Sequence, residues 1–439
     1  MSIGKTGIRA YPAPGLEGKC IAPEGPLEEI AWDWEEFLLG QPRGQYQQSV
    51  RWARVKQGDG WQAWLYTWGA EGRIEGGFLM LIKSTRLGRI GFVNKGPVLA
   101  GEGPESVPDA LRRVLDAARA QRLRALILQP PDRSRIRSED LRRCGFCRNP
   151  VPGIIDATLI ASLEGGREAI LARVGRTARR EARQAVEKGV QIVEGGRSDL
   201  PRFFDLMCHT CRRQGVAPNP ASVDALYRRW DAFGPDIKVL FARVRGELVA
   251  GLLLLRFGKT CTFEKKGWNE QAPEAHPNTL LNVEALLRAS EWGCESVDFG
   301  AMDRGLAERM LKGEEVEEEL SRTRHVFNVR LGARPVLLPP AQVWMPYAWQ
   351  RPGVDWILGR RWLSPGIWST PSGAECARKR ELLGSRLPTN TGSGEDRSLS
   401  EARMSRWPRS AVFELKFSGI RFGPWTGAQV RPCFRVATW

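Results

Sequence analysis

The stretch Val239 to Gly300, VLFARVRGELVAGLLLLRFGKTCTFEKKGWNEQAPEAHPNTLLNVEALLRASEWGCESVDFG, leaves the chain few folds to choose from. Val239–Val244 is a short apolar run, Arg245-Gly246-Glu247 a turn and Leu248–Phe257 a longer apolar run, so two strands are expected there. Gly258-Lys259 turns the chain into a third strand over Thr260–Lys266. A polar, Pro-containing loop, Gly267–Asn278, leads into a helix. In it Leu280, Leu281, Val283, Leu286, Leu287 and Ala289 approximate a stripe at helical spacing, and Gly293 stops it. Ser296–Phe299 is then a short strand. A meander followed by a helix that crosses to another strand calls for a mixed sheet flanked by helices.

With 439 residues the chain can hold two domains and a tail, each domain with its own core. Hydrophobic residues at 42% and charged residues at 26% are those of a soluble globular protein. The formal net charge of +16 points to an anionic partner such as RNA, phosphates or an acidic membrane surface; a plain compositional bias toward arginine is the alternative. The opening MSIGKTGIRAYPAPG lacks the apolar segment of a signal peptide, and the longest apolar run, Leu248–Leu255, is far short of a membrane span. The expected location is cytoplasmic, at most peripheral to the inner membrane face. Nine cysteines, an odd number, suggest free thiols rather than a disulfide framework.

Before about Ala31 the chain is punctuated by Pro and Gly and is expected to be loosely held. Trp32–Leu39 reads as a short amphipathic helix, and Gln45–Lys56 as a second that puts Trp52 and Lys56 on one face, four apart. Trp61–Trp68, Gly77–Ile82 and Arg89–Val93 read as strands, Val107–Gln121 as a helix and Ala125–Gln129 as a buried strand. Leu141–Phe146 closes that unit. Ile155–Ser162 opens the next, followed by a strongly basic helix over Glu168–Gly189, then by helices at Leu200–Gln214 and Ser222–Trp230. From about Pro365 the chain is rich in Ser, Gly, Pro and Arg with weak periodicity and is expected to be largely disordered.

Several of these segments resemble the FemABX family, aminoacyl-tRNA-dependent transferases that build peptidoglycan cross-bridges on two tandem GNAT-like domains. The residues concerned are Gly246–Leu255, Pro277-Asn278-Thr279-Leu280-Leu281 and Gly293–Gly300. Gln48, Ser49, Trp52, Val55 and Lys56 match a Q-S-x-x-W-x-x-v-K pattern, and Asn94–Val98 a strand end. Arg176, Arg179, Arg180, Ala182, Gly189, Val190 and Ile192 also match a family segment. The likeness covers roughly Trp32–Val336 and implies an α/β (α+β) fold of two tandem GNAT-like domains, each a mixed sheet flanked by helices. The expected boundaries are an extension over 1–30, domains at 31–152 and 153–345, and an irregular tail over 346–439. Two departures stand out: the family's helical-hairpin insertion for tRNA is missing between Arg173 and Asp199, and Asn328 sits where a lysine is usual.

The resemblance implies transfer of an amino acid from aminoacyl-tRNA to an amine of a UDP-linked or lipid-linked muropeptide. Such an ester is already activated, so the protein has chiefly to position an amine and stabilise an oxyanion. Lys56, Arg180 and Arg183 are candidates for holding the acceptor's diphosphate, with Gln48, Trp52, His276 and Asn278 as further substrate-binding candidates. Glu264, Lys265 and Asp298, at strand ends, are the candidates for orienting the amine or relaying its proton. Solvated helix faces and soluble strand ends are the plainer alternatives for each. The pairs Cys144/Cys147 and Cys208/Cys211 lie too far apart in the chain to be read as a zinc site, and with three histidines no metal and no cofactor is expected. Coenzyme A is disfavoured because Pro277, which has no N–H, stands where a pyrophosphate-binding turn would open the helix. The alternatives are an N-acyltransferase of the same fold in exopolysaccharide or surface-glycan synthesis, using another activated acyl donor, and a non-catalytic RNA- or membrane-binding protein.

Overall fold

The computed structural model describes residues 17–22, 29–70, 72–86, 88–147, 154–321, 323 and 325–346. The expected tail beyond 346, and most of the expected N-terminal extension, lie outside the described residues. In chain order the first half contains β1 (Glu17–Cys20), α1 (Glu29–Gly40), α2 (Val50–Gly58), β2 (Gln62–Ala70), β3 (Arg73–Thr85), β4 (Gly88–Asn94), β5 (Val98–Leu99), α3 (Ser106–Ala120), β6 (Leu123–Gln129) and α4 (Ser138–Arg143). The second half begins with β7 (Ala157–Ser162), α5 (Gly166–Arg173), α6 (Arg176–Glu187), β8 (Gln191–Gly195), α7 (Leu200–Arg213), α8 (Val223–Phe233), β9 (Ile237–Val244), β10 (Glu247–Phe257) and β11 (Thr260–Trp268). It continues with α9 (Pro277–Glu291), β12 (Ser296–Ala301), α10 (Arg304–Leu311), α11 (Glu317–Ser321), α12 (His325–Arg330), β13 (Arg334–Leu337) and β14 (Gln342–Trp344).

The strands form two seven-stranded mixed sheets, ordered β1-β2-β3-β4-β6-β14, with β5 beside β3, and β13-β7-β12-β11-β10-β9-β8. Each is built on one plan, an antiparallel meander whose last strand runs parallel to a strand reached through a helix. The parallel pairs are β4/β6 across α3 and β11/β12 across α9. This is the tandem α/β architecture expected from the sequence.

Three local expectations are corrected. Gln45–Lys56 is not one helix: Ser49 is extended and its hydroxyl accepts the Trp52 N–H at 3.0 Å, so it caps α2 and strands Gln48 in the preceding turn. The basic helix over Glu168–Gly189 breaks into α5 and α6, because Gly175 leaves the helix and donates its N–H to the Arg330 carbonyl at 2.8 Å. The segment before Ala31 includes an edge strand, β1, paired to β2. The chain also crosses back at its end: β14 pairs with β6, so residues 342–344, inside the expected second domain, complete the first sheet.

The two halves share a core. One cluster of buried side chains joins Trp34, Trp52, Leu65 and Leu79 of the first half to Phe203, Leu226, Phe241 and Leu253 of the second. Helices α2 and α8 meet across this layer. Arg51 pins it, pairing with Asp236 of the other half at 2.8 Å while its guanidinium lies over the rings of Phe233 and Phe257. The outer face of the first sheet packs on α3, and that of the second on α5, α6, α9 and α10.

Candidate active site

In the second sheet the parallel pairing of β11 and β12 lasts for three residue pairs, Thr260–Thr262 against Ser296–Asp298, and then the strands part. Their counterparts in the first sheet, β4 and β6, stay paired from Arg89 to Asn94. Just past the parting, β11 carries a bulge. Leu253 faces Lys265 and Leu254 faces Phe263, so Glu264 is the extra residue. The bulge turns Glu264 and Lys265 to the same side, the shared core, their charged groups 3.7 Å apart. Normal alternation would have put them on opposite faces.

Charge gathers around them. Glu264 accepts a hydrogen bond from the Tyr46 hydroxyl at 3.3 Å and lies 3.9 Å from the Arg229 guanidinium of α8. Arg229 donates to the Ala225 carbonyl through Nη1, while its buried Nε makes no hydrogen bond among the described residues. Trp52 is the apolar hub: Tyr46 meets it edge-on at 5.1 Å, Lys56 stands over its ring at 5.2 Å and Arg229 at 5.7 Å. Lys56 also reaches Asp59 at 3.2 Å. On the other wall Asp298 accepts from the Thr158 hydroxyl and, at 2.8 Å, from the Gly300 N–H, both through Oδ1. Facing it from the first half are Asp132 and Lys95, ion-paired at 2.5 Å, with Gln45 also donating to Asp132.

Burial shapes the titration of these groups. It pushes the Asp298 carboxyl above the usual carboxylate range, against the opposing hydrogen bonds from Thr158 and Gly300. It lowers Lys265 from the ordinary lysine value, with Glu264 opposing the shift and Arg229 reinforcing it. Lys56 is lowered for the same reason, with Asp59 opposing. Tyr46 is raised well above an ordinary phenol by burial, then by the carboxylates of Glu264 and Asp298. A carboxyl held up and an amine held down have their proton affinities brought closer together, which suits proton exchange.

The structure therefore brings together Trp52, Lys56, Glu264, Lys265 and Asp298. Sequence reading missed Tyr46, Lys95, Asp132 and Arg229; Tyr46 and Lys95 lie beside or within matched segments but are not themselves singled out by them, and the four meet the rest of the site only when the two halves pack. Five candidates fall elsewhere. Gln48 is fully buried and its carboxamide is consumed, Oε1 accepting the Leu79 N–H at 2.7 Å and Nε2 donating to the Asn94 carbonyl at 2.6 Å. A Cβ on Gly96 would meet that carboxamide at 2.8 Å, so glycine is needed beside it. Gln48 pins β3 to β4 and is not placed to bind substrate. Arg180 and Arg183 lie on the exposed side of α6, whose buried Ala178, Ala182 and Ala185 pack on the outer face of the second sheet. They cannot share one diphosphate with Lys56, which is on the inner face. His276 and Asn278 open α9, which packs on the outer face of the second sheet, opposite to the face that carries Glu264 and Lys265.

The opening of α9 is poorly equipped for a pyrophosphate. Pro277 has no N–H, the Thr279 and Leu280 N–H groups go to the His276 carbonyl at 3.1 and 3.3 Å, and the Glu181 carboxylate already accepts from the Thr279 hydroxyl at 2.9 Å. Behind it Lys266, on the opposite face of β11 from Lys265, donates to Asn282 at 3.2 Å and Asn328 at 3.4 Å and stands over the rings of Phe263 and Phe299. A lysine thus does reach Asn328, from β11 rather than from α12. Among the described residues no three His, Cys, Asp or Glu side chains gather as metal ligands, and no helix is long and apolar enough to cross a membrane.

This geometry agrees with what the chain is similar to. Residues 172–308 match the family model described as acetyltransferase (GNAT) domain. The crystal structure of FemX superposes with a TM-score of 0.62 at 16% identity, covering 78% of this chain and 100% of that one. Two further solved structures resemble it less. The C-terminal domain of a putative lysylphosphatidylglycerol synthetase from Agrobacterium fabrum has a TM-score of 0.44 at 15% identity, over 75% of this chain and 96% of that one. A tandem GNAT protein from the clavulanic acid biosynthesis pathway has 0.41 at 12% identity, over 75% and 98%. No curated protein matches the sequence. Fold and matched segment together support an acyltransferase: residues 172–308 match an acetyltransferase (GNAT) domain, and the fold is GNAT-like. In fold the described residues, two GNAT-like units with a shared core, are similar to FemX.

Proposed function

We propose that the protein transfers an aminoacyl group from aminoacyl-tRNA to an amine of a UDP-linked or lipid-linked muropeptide. The observation that carries this reading is the convergence of Glu264, Lys265, Asp298, Tyr46 and Arg229 where β11 and β12 part. An acceptor amine arrives as an ammonium. Asp298, whose Oδ2 accepts no hydrogen bond among the described residues, takes its proton. The freed amine attacks the ester carbonyl, and the Lys265 ammonium faces the oxyanion that forms. Collapse expels the ribose oxygen, which takes a proton from Lys265; the new amide nitrogen gives up its second proton to the lysine, restoring it. Burial that lowers Lys265 makes it a better proton donor than a solvated lysine. Lys56 and Arg229, flanking Trp52, are suited to the acceptor's diphosphate, with Arg229 bringing an unsatisfied buried Nε. The crowded α9 opening favours a donor other than acyl-coenzyme A.

The test supplies muropeptide with a tRNA pool carrying radiolabelled amino acids and, separately, with labelled acyl-coenzyme A. Label passing from tRNA to muropeptide is expected. Label passing only from acyl-coenzyme A would favour the surface-glycan N-acyltransferase reading instead.

A further inference from the structure

Helix α6 carries Arg176, Arg179, Arg180 and Arg183, all exposed. Their spacing, i, i+3, i+4 and i+7, makes a single stripe about 10 Å long at the helical rise. None makes an ion pair, a side-chain hydrogen bond or a ring contact among the described residues. Other exposed helices pair their arginines: Arg112 and Arg113 with Asp109, Arg119 with Asp116 and Arg143 with Glu139, each within one turn. In α6 the like charges at i, i+4 repel, and Arg176 sits at the positive end of the helix dipole with no acidic residue in the first turn. Glu181, which could relieve them, is turned inward to Thr279. The exposed Arg330 extends the stripe, since its carbonyl receives the Gly175 N–H just before α6.

We propose that this stripe is the docking surface for an RNA backbone, and that it holds the donor while the aminoacylated end reaches the parting of β11 and β12. The inference rests on the reading that the donor is aminoacyl-tRNA. Arginine forks bind phosphate oxygens in pairs, and a narrow line of them follows one phosphate strand. A bilayer surface is a poorer fit. The small apolar residues of α6 are packed inward, leaving Val186 as its one exposed large apolar side chain. Glu181 ties α6 to the first turn of α9, and Lys266, the neighbour of Lys265 in β11, stands on that same outer face of the sheet between Asn282 and Asn328, so the stripe lies on the α9 side of β11.

The test is fluorescence anisotropy of the full chain with uncharged tRNA over a range of salt, for the natural sequence, R179E/R183E and the milder R179Q/R183Q. Loss of two phosphate contacts should flatten the slope of log affinity against log salt by about 1.4–1.8 and weaken binding at least about tenfold at low salt. The KM for muropeptide and the melting temperature of R179Q/R183Q should not move. Unchanged tRNA binding would overturn the proposal, as would loss of binding to phosphatidylglycerol vesicles with tRNA binding intact, or a change confined to the muropeptide KM. Because the tRNA is uncharged, the result is independent of whether transfer from tRNA occurs.

Discussion

Replacing Glu264 by Gln tests the electrostatics of the cleft. The carboxylate is the shared counter-ion of Arg229 at 3.9 Å and Lys265 at 3.7 Å, and the three side chains are only 9%, 4% and 12% exposed. Two charges about 4 Å apart attract by about 4 kcal/mol at an effective dielectric near 20, and much of that offsets the cost of burying them. Removing one partner of such a set costs about 3–5 kcal/mol, since the remaining charges stay buried without compensation. At about 2–4 °C per kcal/mol for a fold of this size, thermal unfolding of Glu264→Gln should occur about 6–20 °C lower. The amide still accepts from Tyr46, so the loss reports charge rather than shape. The variant should also regain stability as pH rises. With its counter-ion gone, Lys265 falls further below its unfolded value, and the unfolded state binds more protons over that interval, so stability increases with pH until the amine is neutral in both states. Near-natural stability at neutral pH, with no such dependence, would refute the reasoning.

Gln48→Ala should destabilise by about 2–4 kcal/mol, by leaving the Leu79 N–H and Asn94 carbonyl buried without partners, and should leave KM unchanged; denaturant unfolding and steady-state kinetics separate the two effects. Gly267→Ala should cost about 1–3 kcal/mol, because a Cβ there would lie 2.5 Å from the Met207 backbone nitrogen of α7, and denaturant unfolding reads this directly. The rate should be bell-shaped in pH, with the acid limb above the ordinary carboxylate range and the alkaline limb below the ordinary lysine range, and Asp298→Asn should remove the acid limb. Since the folded Asp298 value is raised, the folded state binds more protons between the unfolded and folded values. Its contribution to stability therefore falls as pH rises through that window, a fall that Asp298→Asn abolishes.

The fold was legible because its periodicities are strong. The Val239–Gly300 meander, crossover helix and closing strand stand within one to three residues of their expected places. Less could be read where a short polar residue decides the backbone locally. Ser49 caps a helix in the middle of an apparently continuous pattern, and Gly175 breaks another to reach Arg330. The site was half legible. Glu264, Lys265 and Asp298 announce themselves as charges beside apolar residues, but the strands run on past them, and the bulge that turns Glu264 and Lys265 to one side leaves no mark in the sequence. Arg180 and Lys56 look equivalent as cations, and only the packing of α6 on the outer face and α2 on the inner face separates them. Arg229 and Tyr46 meet Glu264 from 35 and 218 residues away in the chain, and Lys95 meets Asp132 from 37, beyond the reach of any local pattern.

The central claim is that the acyl group passes between the strands where β11 and β12 separate. The most direct measurement is a crystal structure of the protein with a stable conjugate in which an aminoacyl-RNA mimic is joined to a muropeptide amine through the position of the reacting carbonyl. The account predicts that the carbonyl lies between Lys265 and Asp298, with the muropeptide diphosphate toward Lys56 and Arg229 and the RNA leaving along α6. A conjugate whose carbonyl is seated in the first sheet, or on the outer face away from Glu264 and Lys265, would contradict it.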